Sequence, residues 1–104
     1  MQESKRRKLA GKGWMFGDAS DFLGLTPEED ALIDLRLKLA EGLKDRRLRK
    51  RLTQIDLAKA VRSSQSRVAK MEAGDPTVSI DLLVRSLIAL GASSRDLAKI
   101  IAPR

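Results

Sequence analysis

A chain of 104 residues suffices for one modest hydrophobic core and is too short for two independent ones. Its formal net charge of +7 favours a polyanionic partner, either nucleic acid or an anionic membrane surface. Cysteine and histidine are both absent, which removes disulfides, zinc sites of the usual thiolate or imidazole kind, thiol nucleophiles and histidine general bases.

Basic residues dominate the first segment, where Lys5, Arg6, Arg7, Lys8 and Lys12 stand against Glu3. Such a block reads first as a solvated face or arm. Gly11-Lys12-Gly13 lacks the long glycine loop and the following Ser or Thr of a phosphate-binding motif. The basic start runs into glycines, not an apolar signal core, and no apolar run approaches the roughly 20 residues that span a bilayer. A cytoplasmic protein without membrane contact is expected. Residues 18 to 30 then reverse the charge, with Asp18, Asp21, Glu28, Glu29 and Asp30 and no base among them.

Thr26-Pro27-Glu28-Glu29 is a strong helix start, because Thr caps, Pro suits the first turn, and the third-position Glu reaches back to the cap amide. The helix is predicted to run to about Lys50, with Gly42 as a possible bend. Ile33-Asp34-Leu35-Arg36-Leu37-Lys38-Leu39 alternates as a strand would. The cap, the lack of turn residues and the helix-forming composition favour the helix. Its end is again basic: residues 44 to 51 hold six bases against one acid, placed for a phosphate contact just ahead of a helix pair.

Four shorter helices follow, starting at Thr53 with Asp56 three residues on, at Ser64, at Ser79, and at Ser93 with Asp96 three residues on. Stops fall at Arg62-Ser63, Gly74-Asp75-Pro76, Gly91 and Pro103. Leu57, Val61, Val68, Met71, Leu82, Leu83, Val84, Leu87, Ile88, Leu90, Leu97, Ile100 and Ile101 recur at helical spacing and predict an all-helical core. An arm over 1–25 and a five-helix domain over 26–104 are expected. Ser/Lys or paired-carboxylate groupings with surroundings that shift a pKa are not visible, so an enzyme is not expected.

The helix opening at Gln54, the turn at Arg62-Ser63-Ser64 and the helix opening at Gln65 have the layout of a helix-turn-helix, whose second helix lies in the major groove. With Ser64 as cap, Gln65, Ser66 and Arg67 occupy the first turn. Glutamine can bond bidentately to adenine, arginine to guanine and serine to either. A solvated polar helix start has the same residues. Gln54, Arg62 and Lys70 can hold phosphates on either side, which favours double-stranded DNA as the ligand.

From about Leu43 to Gly91 the chain resembles the Cro/C1-type, or Xre-type, helix-turn-helix family of phage repressors and bacterial regulators. The resemblance is carried by Leu52-Thr53-Gln54, Leu57-Ala58, Ser64-Gln65-Ser66, Val68, Glu72-x-Gly74 and Leu90-Gly91. It implies a lambda-repressor-like fold and a dimeric repressor on a palindromic operator, with no cofactor or metal. By position, Gln54 would hold a phosphate and brace Gln65, while Gln65, Ser66, Arg67 and Lys70 would face the groove. Arg47 and Glu72 match a family ion pair. The family turn usually has Gly and an apolar residue where this chain has Arg62 and Ser63, so an Arg at positive φ, strained by about 1 to 3 kcal/mol, is expected. Gly13-Trp14, Gly17-Asp18 and Phe22-Leu23-Gly24-Leu25-Thr26-Pro27-Glu28-Glu29 look like a subgroup that includes HigA-type antitoxins. That implies a small RelE/HigB-like toxin as a further partner. Trp14, Phe16 and Phe22 either anchor such a partner or cover the chain's own long helix.

Overall fold

The computed structural model describes residues 24–103. The arm and its three aromatics, Trp14, Phe16 and Phe22, lie outside the described residues. All regular structure among the described residues is helical: α1 (Pro27–Arg49), α2 (Gln54–Ala60), α3 (Gln65–Glu72), α4 (Ile80–Ala89) and α5 (Ser94–Ile101). A boundary between compact units falls between Leu35 and Arg36; the packing below is that of the second.

Each start follows from its capping chemistry. Thr26 Oγ1 accepts from the Glu29 amide at 3.0 Å, and Glu29 Oε1 accepts from the Thr26 amide at 2.9 Å. Thr53 and Asp56 form the same reciprocal box at α2, and Ser93 and Asp96 form it at α5. Each box satisfies two of the amides that a helix start leaves without partners. The alternating stretch 33–39 is helical because it sits inside a well-capped segment with acids in its first turn and Arg46, Arg47 and Arg49 in its last, where both ends complement the helix dipole.

Four helices end in one motif. The second residue past the C-cap donates to the carbonyl three residues before that cap, and the residue between them, in the left-handed region, closes the inner bond. For α3 and α4 that residue is Gly74 (φ +73) and Gly91 (φ +92), with Asp75 N to Lys70 O at 3.1 Å and Ala92 N to Leu87 O at 3.0 Å. For α1 and α2 it is an arginine: Arg51 at φ 59 and Arg62 at φ 56. Leu52 N reaches Arg47 O at 3.1 Å and Ser63 N reaches Ala58 O at 2.8 Å.

Leu39, Ala40 and Leu43 of α1 pack with Leu57, Ala58, Val68, Met71, Val78, Leu83, Leu87, Leu90 and Ala92 as the buried core, each larger side chain contributing about 1.5–3 kcal/mol of burial. The expected core needs correction at two positions, since Ile88 is 55% exposed and Ile101 41% exposed. Helical spacing alone does not say how wide the buried face of α4 or α5 is. Val61, Leu82, Val84, Leu97 and Ile100 are partly covered. α1 continues as one helix through Gly42. A Cβ there would stand 2.8–3.0 Å from three atoms of the Ile100 side chain, so the missing side chain is what lets α5 lie close to α1. An Arg46–Asp96 ion pair at 3.2 Å joins the same two helices.

Candidate nucleic-acid interface

The site is built on α2 and α3, which pack against each other. Val68 and Met71, three residues apart, are both fully buried, so α3 has one side fixed in the core and must present its other side outward. Gln65, Ser66, Arg67 and Lys70 are all exposed. Ser64 sits in the extended region as N-cap, and its Oγ accepts from the Arg67 amide at 3.1 Å. Its hydroxyl lies 3.4 Å from that of Ser66. The expected first turn is therefore present, with the serine cap partly occupied by its structural task.

Gln54 opens α2 immediately after the Thr53 cap. The Thr53 amide donates to Asp56 Oδ2 at 2.9 Å, the largest influence holding the Asp56 carboxyl below the usual carboxylate range, while the Thr53 hydroxyl accepts from the Asp56 backbone amide at 3.0 Å. Gln54 therefore stands at a rigid helix start, and it meets two partners. Its Nε2 donates to Glu72 Oε1 at 3.1 Å, and its Oε1 accepts from Gln65 Nε2 at 3.4 Å.

Beneath them lies the pair that the resemblance implies. Arg47 Nε donates to Glu72 Oε2 at 2.5 Å and Nη2 to Oε1 at 3.0 Å, while Nη1 donates to the Leu52 carbonyl at 2.7 Å. The two side chains are only 9% and 4% exposed. The hydrogen bond to Glu72 raises the Arg47 pKa above its ordinary value, against the smaller opposing effect of burial. A bidentate pair this buried joins the end of α1 to the end of α3, and removing one partner would strand a charge.

Arg62 occupies the turn between α2 and α3 at positive φ, as its departure from the family's glycine predicts. Arg51, with the same backbone at the end of α1, was not singled out by sequence reasoning, although it lies in the basic block 44–51. A clue was available: a helix stopping before Leu52-Thr53 without glycine can still close through a left-handed residue, and Arg51 stands at that place. The structure thus brings Gln54, Gln65, Glu72 and Arg47 into one hydrogen-bonded chain. Ser66, Arg67, Lys70, Arg51 and Arg62 are exposed. Among the described residues no cluster of acids is arranged to hold a metal ion, and no helix is long and apolar enough to cross a membrane.

A family model described as helix-turn-helix matches residues 43–97, just over half of the chain. No curated protein and no solved structure matches it significantly. The chain belongs to the Cro/C1-type helix-turn-helix family of DNA-binding transcription regulators.

Proposed function

We propose that this protein is a repressor that binds a palindromic operator as a dimer and silences a promoter by occupying it. The reading is carried by the first turn of α3, where Gln65 and Arg67 project from a helix whose opposite side is locked in the core. Placed in the major groove, Gln65 reads adenine and Arg67 guanine, and Ser66 accepts or donates to either. Gln54, Arg62 and Lys70 hold the flanking phosphates, with Ser64 at the mouth of the groove and Arg51 as an added phosphate contact from the end of α1. Strained, exposed arginines at two turns that α3 and α4 build with glycine support that assignment. A single short helix makes too few base contacts for useful specificity, so two copies reading half-sites about 34 Å apart are required.

A second role is compatible with the first. The chain also serves as an antitoxin that neutralises a small RelE/HigB-like ribonuclease and represses their shared operon in the cytoplasm. Its support is the order of residues 13–29, of which only Gly24 onward is among the described residues.

Selection of bound duplexes from a random library by the full chain tests the first role. The expected result is an enriched inverted repeat with half-site centres about 10 base pairs apart. Equal retention of all sequences overturns it.

A further inference from the structure

Glu72, the last residue of α3, meets the Gln54 amide, and that amide in turn meets Gln65, the first residue of the same helix. We infer that Glu72 is a positioning residue that sets the base preference of Gln65 as adenine over guanine, acting through Gln54. The inference rests on the reading of α3 as the groove helix.

A carboxylate can only accept hydrogen bonds. Of the two ends of the Gln54 amide, the nitrogen must therefore face Glu72, and it does so at 3.1 Å. The carboxylate cannot turn away, because Arg47 holds both of its oxygens and is itself tied to the Leu52 carbonyl. With Nε2 committed, Gln54 presents Oε1 to Gln65. That oxygen also only accepts, so Gln65 must answer with Nε2, as it does at 3.4 Å. A buried negative charge is thereby converted into a fixed donor–acceptor order at the surface. One N–H of Gln54 remains for a phosphate, and one N–H and the Oε1 of Gln65 remain for a base.

The order matters because the two purines differ at one position. Adenine offers an N7 acceptor beside an N6 donor, which matches the remaining N–H and Oε1 of Gln65. Guanine offers acceptors at both N7 and O6, so the fixed Oε1 would face O6, acceptor against acceptor. The terminal torsion of a glutamine is otherwise soft. A Gln65 released from Gln54 rotates its amide and donates to guanine, and discrimination falls.

The test uses the full chain and duplexes drawn from its selected operator. Gln65→Ala first identifies the base pair that Gln65 reads; affinities for adenine and guanine there are then compared by fluorescence anisotropy. Wild type is expected to favour adenine by about tenfold or more. Gln54→Met and Glu72→Gln should each remove most of that ratio while leaving preference at the Arg67 base pair in place. A uniform loss of affinity, as from a phosphate contact or partial unfolding, does not move this ratio. If Glu72→Gln strands Arg47 and fails to fold, Gln54→Met alone decides, since it keeps the ion pair. An undiminished adenine-to-guanine ratio in Gln54→Met overturns the relay while the groove reading stands. Should no base pair respond to Gln65→Ala, the groove reading fails and takes the inference with it.

Discussion

Replacing Arg62 by glycine should stabilise the fold while weakening its grip on DNA. Arg62 sits at φ 56 and closes the α2 end by the same bonds that Gly74 and Gly91 close at φ +73 and +92. An L-residue in that region costs about 1–2 kcal/mol. Glycine removes the cost and returns about 0.4–1 kcal/mol through the greater freedom of the unfolded chain. The net gain is about 0.5–1 kcal/mol, or about 2–8 °C in melting temperature for a domain of this size. Among the described residues the exposed Arg62 side chain has no hydrogen-bond or ion-pair partner, so its loss subtracts little. Arg51→Gly should behave alike, for Arg51 stands at φ 59. Arg62→Ala is the control: it removes the charge but keeps the Cβ and the strain, so its melting temperature should stay near wild type. Thermal unfolding followed by circular dichroism at fixed salt reads all three. A melting temperature that falls in Arg62→Gly, or rises equally in Arg62→Ala, refutes backbone strain as the reason.

Lys70→Ala and Arg62→Ala should weaken binding to all sequences evenly and each lower the slope of log K against log salt by roughly 0.9; unchanged slopes in anisotropy titrations would remove both from the phosphate contacts. Gly42→Ala should lower the melting temperature even though alanine gains about 0.8–1 kcal/mol of helix propensity, because its Cβ would meet Ile100. In an Ile100→Ala background the same change should raise the melting temperature, and a loss there would show that the close approach of α5 is not the cause. Asp56 and Asp96 are held below the usual carboxylate range by their cap bonds. Their stabilisation is therefore complete above that range and lost as pH falls through the lowered values. The melting difference between wild type and Asp56→Asn, Asp96→Asn should shrink below about pH 4.

Much of the fold was legible because its boundaries are written in local chemistry. Thr26, Thr53, Ser64, Ser79 and Ser93 each mark a start with a hydroxyl that accepts from a nearby amide, and that bond depends on residues three apart in sequence. The buried Arg47–Glu72 pair was legible only through family resemblance, since nothing in either residue's neighbours announces a partner 25 positions away. The packing use of Gly42 was hidden for a related reason: glycine inside a helix suggests a bend locally, and only the arrival of Ile100 from α5 gives it another use. Ile88 and Ile101 fit the helical period but fall outside the buried face. The polarity of Gln54 and Gln65 could not be read from sequence at all, because it follows from the Gln54 amide meeting the acceptor-only carboxylate of Glu72, 18 positions away, and from Gln65 meeting Gln54 in turn.

The proposed repressor function requires α3 to lie in the major groove with Arg67 against a guanine. Dimethyl sulfate modifies guanine at N7, on the major-groove edge, so a methylation footprint of the full chain on its selected operator addresses that placement directly. Protection of a guanine N7 is expected in each of two half-sites about 34 Å apart, with that protection lost in Arg67→Ala. Full N7 reactivity across a bound operator, or protection that survives Arg67→Ala, would contradict that placement.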